Sequence, residues 1–121
     1  MKHLLLACVF TLSIPALSFA AQAVPTSHLT WDQAAPDLAT AQAYVYAYYP
    51  DGAVTSTPLA NVVCSGAASP FTCTVGFPAF TPGSHSLQAT ATNAAGESLK
   101  STPFPFIFVV LPVAPANLRI T

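Results

Sequence analysis

Charge is what this sequence has least of. Only 6% of its 121 residues are charged, three of them basic and four acidic, where an average soluble domain is about 25% charged. Three basic side chains cannot build the cationic footprint that nucleic-acid binding needs, and no charged heptad pattern supports a coiled coil. The pairing of low hydrophobicity with high net charge that marks disordered chains is also missing. No window sustains the i, i+3, i+4, i+7 apolar spacing of an amphipathic helix. What the chain does have is 53% hydrophobic residues and 12 prolines. Ser, Thr, Asn, Gln and Ala must therefore make its surface.

The first twenty residues read as a leader rather than as part of a fold. A short basic start (Met1, Lys2, His3) precedes an apolar stretch over 4–17, and small residues follow at Ser18, Ala20, Ala21 and Ala23. That is the pattern of a secretory signal peptide, with cleavage expected after Ala20 or after Ala23. The stretch is too short for a membrane anchor, which takes about 20 apolar residues, so no transmembrane anchor is expected after cleavage. Cys8 fits the local pattern of a lipid-attachment site, but the apolar run continues past it, which argues against lipidation. The expected location is secreted, periplasmic or cell surface.

Two cysteines remain downstream, Cys64 and Cys73. Such a pair in an exported chain reads as a disulfide. The turn-rich segment 65–70 between them would bring two strands within bridging range. His28 and His85 show no metal-ligand spacing, so no metal and no cofactor is implied.

Short β-branched and aromatic runs separated by Pro, Gly, Asn and Asp recur through the rest of the chain, the signal of a small all-β sandwich or barrel. Strands are expected over 27–33, with Leu29 and Trp31 inward, and over 42–49, ended by the turn Pro50-Asp51-Gly52. Weaker strands are expected over 53–57 and 60–64, then strands over 71–77, 84–93 and 97–110. Residues 34–40 read as a loop. In 84–93, His85, Leu87, Ala89 and Ala91 share one face and Ser86, Gln88, Thr90 and Thr92 the other, as in a sheet with one wet side.

The block from Phe80 through Pro82, Gly83 and His85 to Asn93, Gly96 and Ser98 resembles the E–F turn, F strand and F–G turn of bacterial fibronectin type III and related immunoglobulin-like modules. Trp31 matches the tryptophan of the family's B strand, and Tyr44-Val45-Tyr46 with Pro50-Asp51-Gly52 is similar to its C strand and C–C′ turn. The resemblance implies an antiparallel β-sandwich of about seven strands over 24–111. His85 stands where fibronectin-type modules usually carry a tyrosine. Few residues precede Leu29, leaving little room for a full first strand. Residues 112–121 form a Pro-rich tail resembling the opening strand of a following module, which either pairs back onto this domain or is a stub.

Three sets of residues are candidates for function. Period 2 puts Tyr44, Tyr46 and Tyr48 on one side of their strand; facing solvent they would be a platform for sugar rings or a protein, and facing inward they are core. Phe104, Phe106 and Phe108 share one face of the last strand and Ile107 and Val109 the other. Its prolines argue for a sheet edge, and an edge apolar on both faces suits strand addition or self-association, unless Leu118 and Ile120 cover it. His85 has no partner placed by any motif, and no G-x-S-x-G element or paired-carboxylate signal is present, so no catalytic residue is expected and the chain does not read as an enzyme. Asp32, Asp37, Asp51 and Glu97 read as turn formers and solvated surface. The expected function is a non-catalytic exported binding or adhesion module recognising a carbohydrate or cell-surface protein. The alternative is a structural subunit of a surface assembly joined by β-edge pairing.

Overall fold

A computed structural model describes residues 20–121. The expected leader, apart from Ala20, and Cys8 lie outside the described residues. The chain folds as a β-sandwich of a wide sheet and a narrow one. The wide sheet has the path β1 (Ala21–Ala23), β9 (Phe104–Phe108), β7 (Gly83–Asn93), β3 (Val45–Pro50) and β4 (Thr57–Pro58), with the short β8 (Gly96–Glu97) also paired to β7. The narrow sheet is β2 (His28–Gln33), β6 (Phe71–Gly76) and β5 (Val63–Ser65). Except for β1, which runs parallel to β9, all pairs are antiparallel.

Alternation decides the narrow sheet. In β2, Leu29, Trp31 and Gln33 are half-buried while His28, Thr30 and Asp32 are exposed, so the inward face is the one the sequence pattern selects. In β6, Phe71, Cys73 and Val75 are buried. Cys64 lies directly opposite Cys73 and the two are joined by a disulfide. Around it Ala41, Tyr46 and Phe71 form one core cluster, with Trp31 edge-on to Tyr46 at 5.1 Å between ring centroids. A second cluster gathers Ala23, Leu87, Phe106 and Phe108 under Phe77 and Phe80.

Three local expectations are corrected. Residues 34–40 are not simply a loop and 42–49 not simply a strand, because Leu38–Ala43 form the helix α1. Asp37 caps it, its carboxylate accepting from Thr40 N at 2.8 Å, which satisfies an otherwise unpaired first-turn donor. Six residues are too few to display a helical period, and tertiary contacts hold the turn. Ala41 is fully buried, and Gln42 bridges the neighbouring strand by donating to Val62 O at 2.7 Å and accepting from Cys64 N at 2.8 Å. Residues 53–64 contribute only β4 and β5, since Pro58 has no N–H to continue a ladder and the chain there crosses from one sheet to the other. The expected final strand over 97–110 is broken into β8, a strap over 98–103, and β9.

The sheet also begins upstream of the 24–111 boundary. Ala21, Gln22 and Ala23 pair with Phe106, Ile107 and Phe108, Val109 N donates to Ala23 O at 2.9 Å, and Ala23 is buried in the second cluster. A tight turn, with Ser27 N donating to Val24 O at 2.9 Å and Val24 N to Ser27 Oγ at 3.0 Å, then reverses the chain into β2.

Candidate functional site

The narrow sheet is too narrow for the wide one, and the site follows from that mismatch. Phe77 N donates to Ser27 O at 2.8 Å. Because hydrogen-bonded pairs alternate along an antiparallel ladder, Leu29, Trp31 and Gln33 turn their backbone groups toward β6. The N–H and C=O groups of His28, Thr30 and Asp32 therefore point away from the sheet, along a free edge, since among the described residues β2 has a strand on one side only.

Opposite that edge the strap over 98–103 replaces a regular strand. Pro103 and Pro105 cannot donate. Ser98 and Ser101 supply hydroxyls instead, accepting from Ala91 N at 3.0 Å and Ala89 N at 2.9 Å while their own amides donate to Ala91 O and Ala89 O. Between strap and β2 lies a groove of about 380 Å³ lined by Trp31, Tyr46, Leu87, Ala89, Leu99 and Phe104 with Asp32 and Gln33 on its rim. A second hollow of about 370 Å³ continues it toward β1, sharing Leu29, Thr30 and Phe104. Two apolar side chains stand open beside this groove, Leu99 at 94% exposure and Phe104 at 43%.

The sequence candidates fall as follows. Of the two orientations open to the tyrosine strand, the inward one is found. Tyr46 is buried and donates to Ala41 O at 2.7 Å, burial pushing its hydroxyl pKa up. Tyr44 is half-buried edge-on to it and Tyr48 is half-buried against Phe80, so no exposed three-ring platform exists. Tyr49 lies buried on the opposite face, with Lys100 Nζ 4.1 Å from its ring centroid and its hydroxyl donating to Glu97. That bond raises the Tyr49 pKa and lowers that of Glu97, to whose lowering the nearby Thr90 hydroxyl and then the Lys100 ammonium also contribute.

Phe106 and Phe108 are core, and only Phe104 is open. The edge expected for their strand is corrected. The proline rule holds at 103–105, where β9 has one neighbour, but Phe106, Ile107 and Phe108 lie between β7 and β1. The cover comes from β1 and not from Leu118 and Ile120, which are almost wholly exposed.

His85 does have partners. Its Nδ1 lies 2.8 Å from Asp51 Oδ2, and its Nε2 lies 2.7 Å from the Thr81 carbonyl and 3.3 Å from the Thr81 hydroxyl. Acid, imidazole and hydroxyl in a row look like a nucleophile relay. The shorter contact is to a carbonyl, which only accepts, so Nε2 donates there and has no lone pair to take a proton from the hydroxyl. Asp51, and then the Thr81 carbonyl, raise the His85 pKa. His85, followed by the Ser86 amide, lowers that of Asp51. This pairing has no motif. Only the register, with Pro50 opposite Leu87, carries Asp51 to Ser86 and His85.

Among the described residues no group of three or more His, Cys, Asp or Glu is placed to hold a metal ion, and no helix is long and apolar enough to cross a membrane. Compared with protein-family models, curated proteins and solved structures, the chain gives no match.

Proposed function

We propose that this chain is a non-catalytic, exported interaction module of the immunoglobulin-like kind that takes a strand of a protein partner onto the free edge of β2. The observation that carries this reading is the outward row of backbone groups at His28, Thr30 and Asp32 beside an apolar groove. Strand addition uses main-chain hydrogen bonds for affinity and pockets for alternate side chains for selectivity, and this edge offers both. The immunoglobulin-like assignment is supported by strand order, since β3, β7 and β9 neighbour one another as C, F and G do, and β2, β6 and β5 as B, E and D do. Export to a secreted, periplasmic or cell-surface location is supported by the leader pattern and by the Cys64–Cys73 disulfide, which suits an oxidising compartment. A carbohydrate ligand is the weaker reading, because the tyrosines that would stack on a sugar are turned inward. Catalysis is disfavoured by the doubly donating geometry of His85.

The test is an amide-resolved titration with extended peptides of alternating apolar and polar residues, beside a glycan panel. Peptides should slow hydrogen exchange at the His28, Thr30 and Asp32 amides, and Thr30→Pro, which removes an edge donor without touching the ladder to β6, should abolish the effect. Glycans that bind while those three amides stay unprotected would overturn the reading.

A further inference from the structure

We propose that the strand taken up at β2 is the segment 117–121 of a second copy of this chain, an inference that rests on β2 being a receptor edge and names its occupant. Three observations lead there. The first is pattern. Asn117-Leu118-Arg119-Ile120-Thr121 alternates polar and apolar residues at the period of a strand with one buried face. Leu118 is 85% exposed and Ile120 fully exposed, and the segment belongs to no sheet among the described residues. Two apolar side chains at i and i+2 on one face match the two adjoining hollows along the β2 edge.

The second is charge. With Leu118 and Ile120 turned into the groove, Arg119 falls on the outer face, the face that carries His28, Thr30 and Asp32. Asp32 makes no ion pair among the described residues, and Arg119 reaches only the nearby Asn117 carbonyl. In a chain with so few charges, an unused carboxylate on the edge and an unused guanidinium on the tail are complementary.

The third is the path of the tail. It leaves β9 at Val109, held to β1, where continuing in the strand direction carries it away from the sandwich. To lie on its own β2 it would have to turn back within 110–116, a stretch that Pro112 and Pro115 stiffen toward an extended form. That spacer reaches about 20 Å when extended, which is enough to meet a neighbouring molecule. Donor tail and acceptor edge are different surfaces, so the contact is head-to-tail.

Sedimentation velocity on the disulfide-intact protein over a range of concentrations tests this. The wild type should associate as concentration rises. Leu118→Asp with Ile120→Asp should weaken association at least about tenfold without lowering thermal stability, because both side chains are exposed. Asp32→Arg and Arg119→Asp should each weaken it, and mixing the two single variants should restore it, because both mixed donor–acceptor contacts then bring opposite charges together. A synthetic 113–121 peptide should protect the Thr30 amide of the tail variant. A wild type that stays monomeric with the Thr30 amide unprotected by that peptide overturns the proposal, as does a monomer whose own tail protects Thr30. If unrelated alternating peptides still protect the edge in that case, the receptor reading stands and only the occupant is wrong.

Discussion

His85 Nδ1 sits 2.8 Å from Asp51 Oδ2, while the same carboxylate accepts the Ser86 amide at 2.9 Å through Oδ1. One aspartate in a turn thus ties the end of β3 to the start of β7. Asp51 and Gly52 both have positive φ, at 49° and 72°, and Ala53 N closes the turn onto Pro50 O at 2.9 Å. Aspartate tolerates that backbone region better than most side chains. The residue serves as turn former and as ligand for the imidazole at once.

The pair makes stability depend on pH in a set direction. The folded His85 pKa lies above its ordinary 6.5, so its contribution is full below that value and is lost as pH rises through the folded pKa. The folded Asp51 pKa lies below its ordinary 3.8, so its contribution is full above that value and is lost as pH falls through the folded pKa. Tm should therefore fall over the window that opens at about pH 6.5 and runs upward through the folded pKa of His85, and His85→Gln should flatten that slope. A wild-type Tm that does not change across the window would count against a charged His85 in the fold.

Reducing the Cys64–Cys73 bridge should destabilise the fold without abolishing it. The cysteines are 9 residues apart, and closing so short a loop is worth about 2.5–3 kcal/mol in the chain-entropy model. Urea unfolding with and without reductant measures the difference, and Cys64→Ala with Cys73→Ala should reproduce it.

Tyr46→Phe should cost about 1–2 kcal/mol, because it leaves the Ala41 carbonyl without its buried donor. Tyr46→Ala should cost about 3–5 kcal/mol by opening a cavity beside the disulfide. Denaturant midpoints at unchanged slope would report both. An equal loss in the two variants would mean that the ring contributes nothing beyond its hydroxyl.

A chain that starts at Val24 should be less stable than one that starts at Ala21. It lacks the three rows of β1 pairing and the buried Ala23, and it opens a second sheet edge at Phe106, Ile107 and Phe108. A drop in Tm of about 4–8 °C per kcal/mol lost is expected for a domain of this size, with greater aggregation from the unpaired edge. Differential scanning calorimetry on the two chains decides it.

The sequence by itself determined the features that depend on neighbours along the chain. The inward face of β2, the cysteine pair and the Pro50-Asp51-Gly52 turn rest on period, loop length and backbone freedom, and these are local; the wet face expected for Ser86, Gln88, Thr90 and Thr92 is corrected, because Thr90 is buried. Only the tertiary structure decided which side of Tyr44, Tyr46 and Tyr48 is buried, because period 2 sorts residues into two faces but does not say which face meets the other sheet. It also formed α1 through the burial of Ala41 and the two bonds of Gln42, and it made Phe106 to Phe108 interior by bringing Ala21 to Ala23 alongside. The free edge of β2 is likewise a property of strand order, in which a three-stranded sheet faces a wider one, and strand order is set by contacts between residues far apart in the chain.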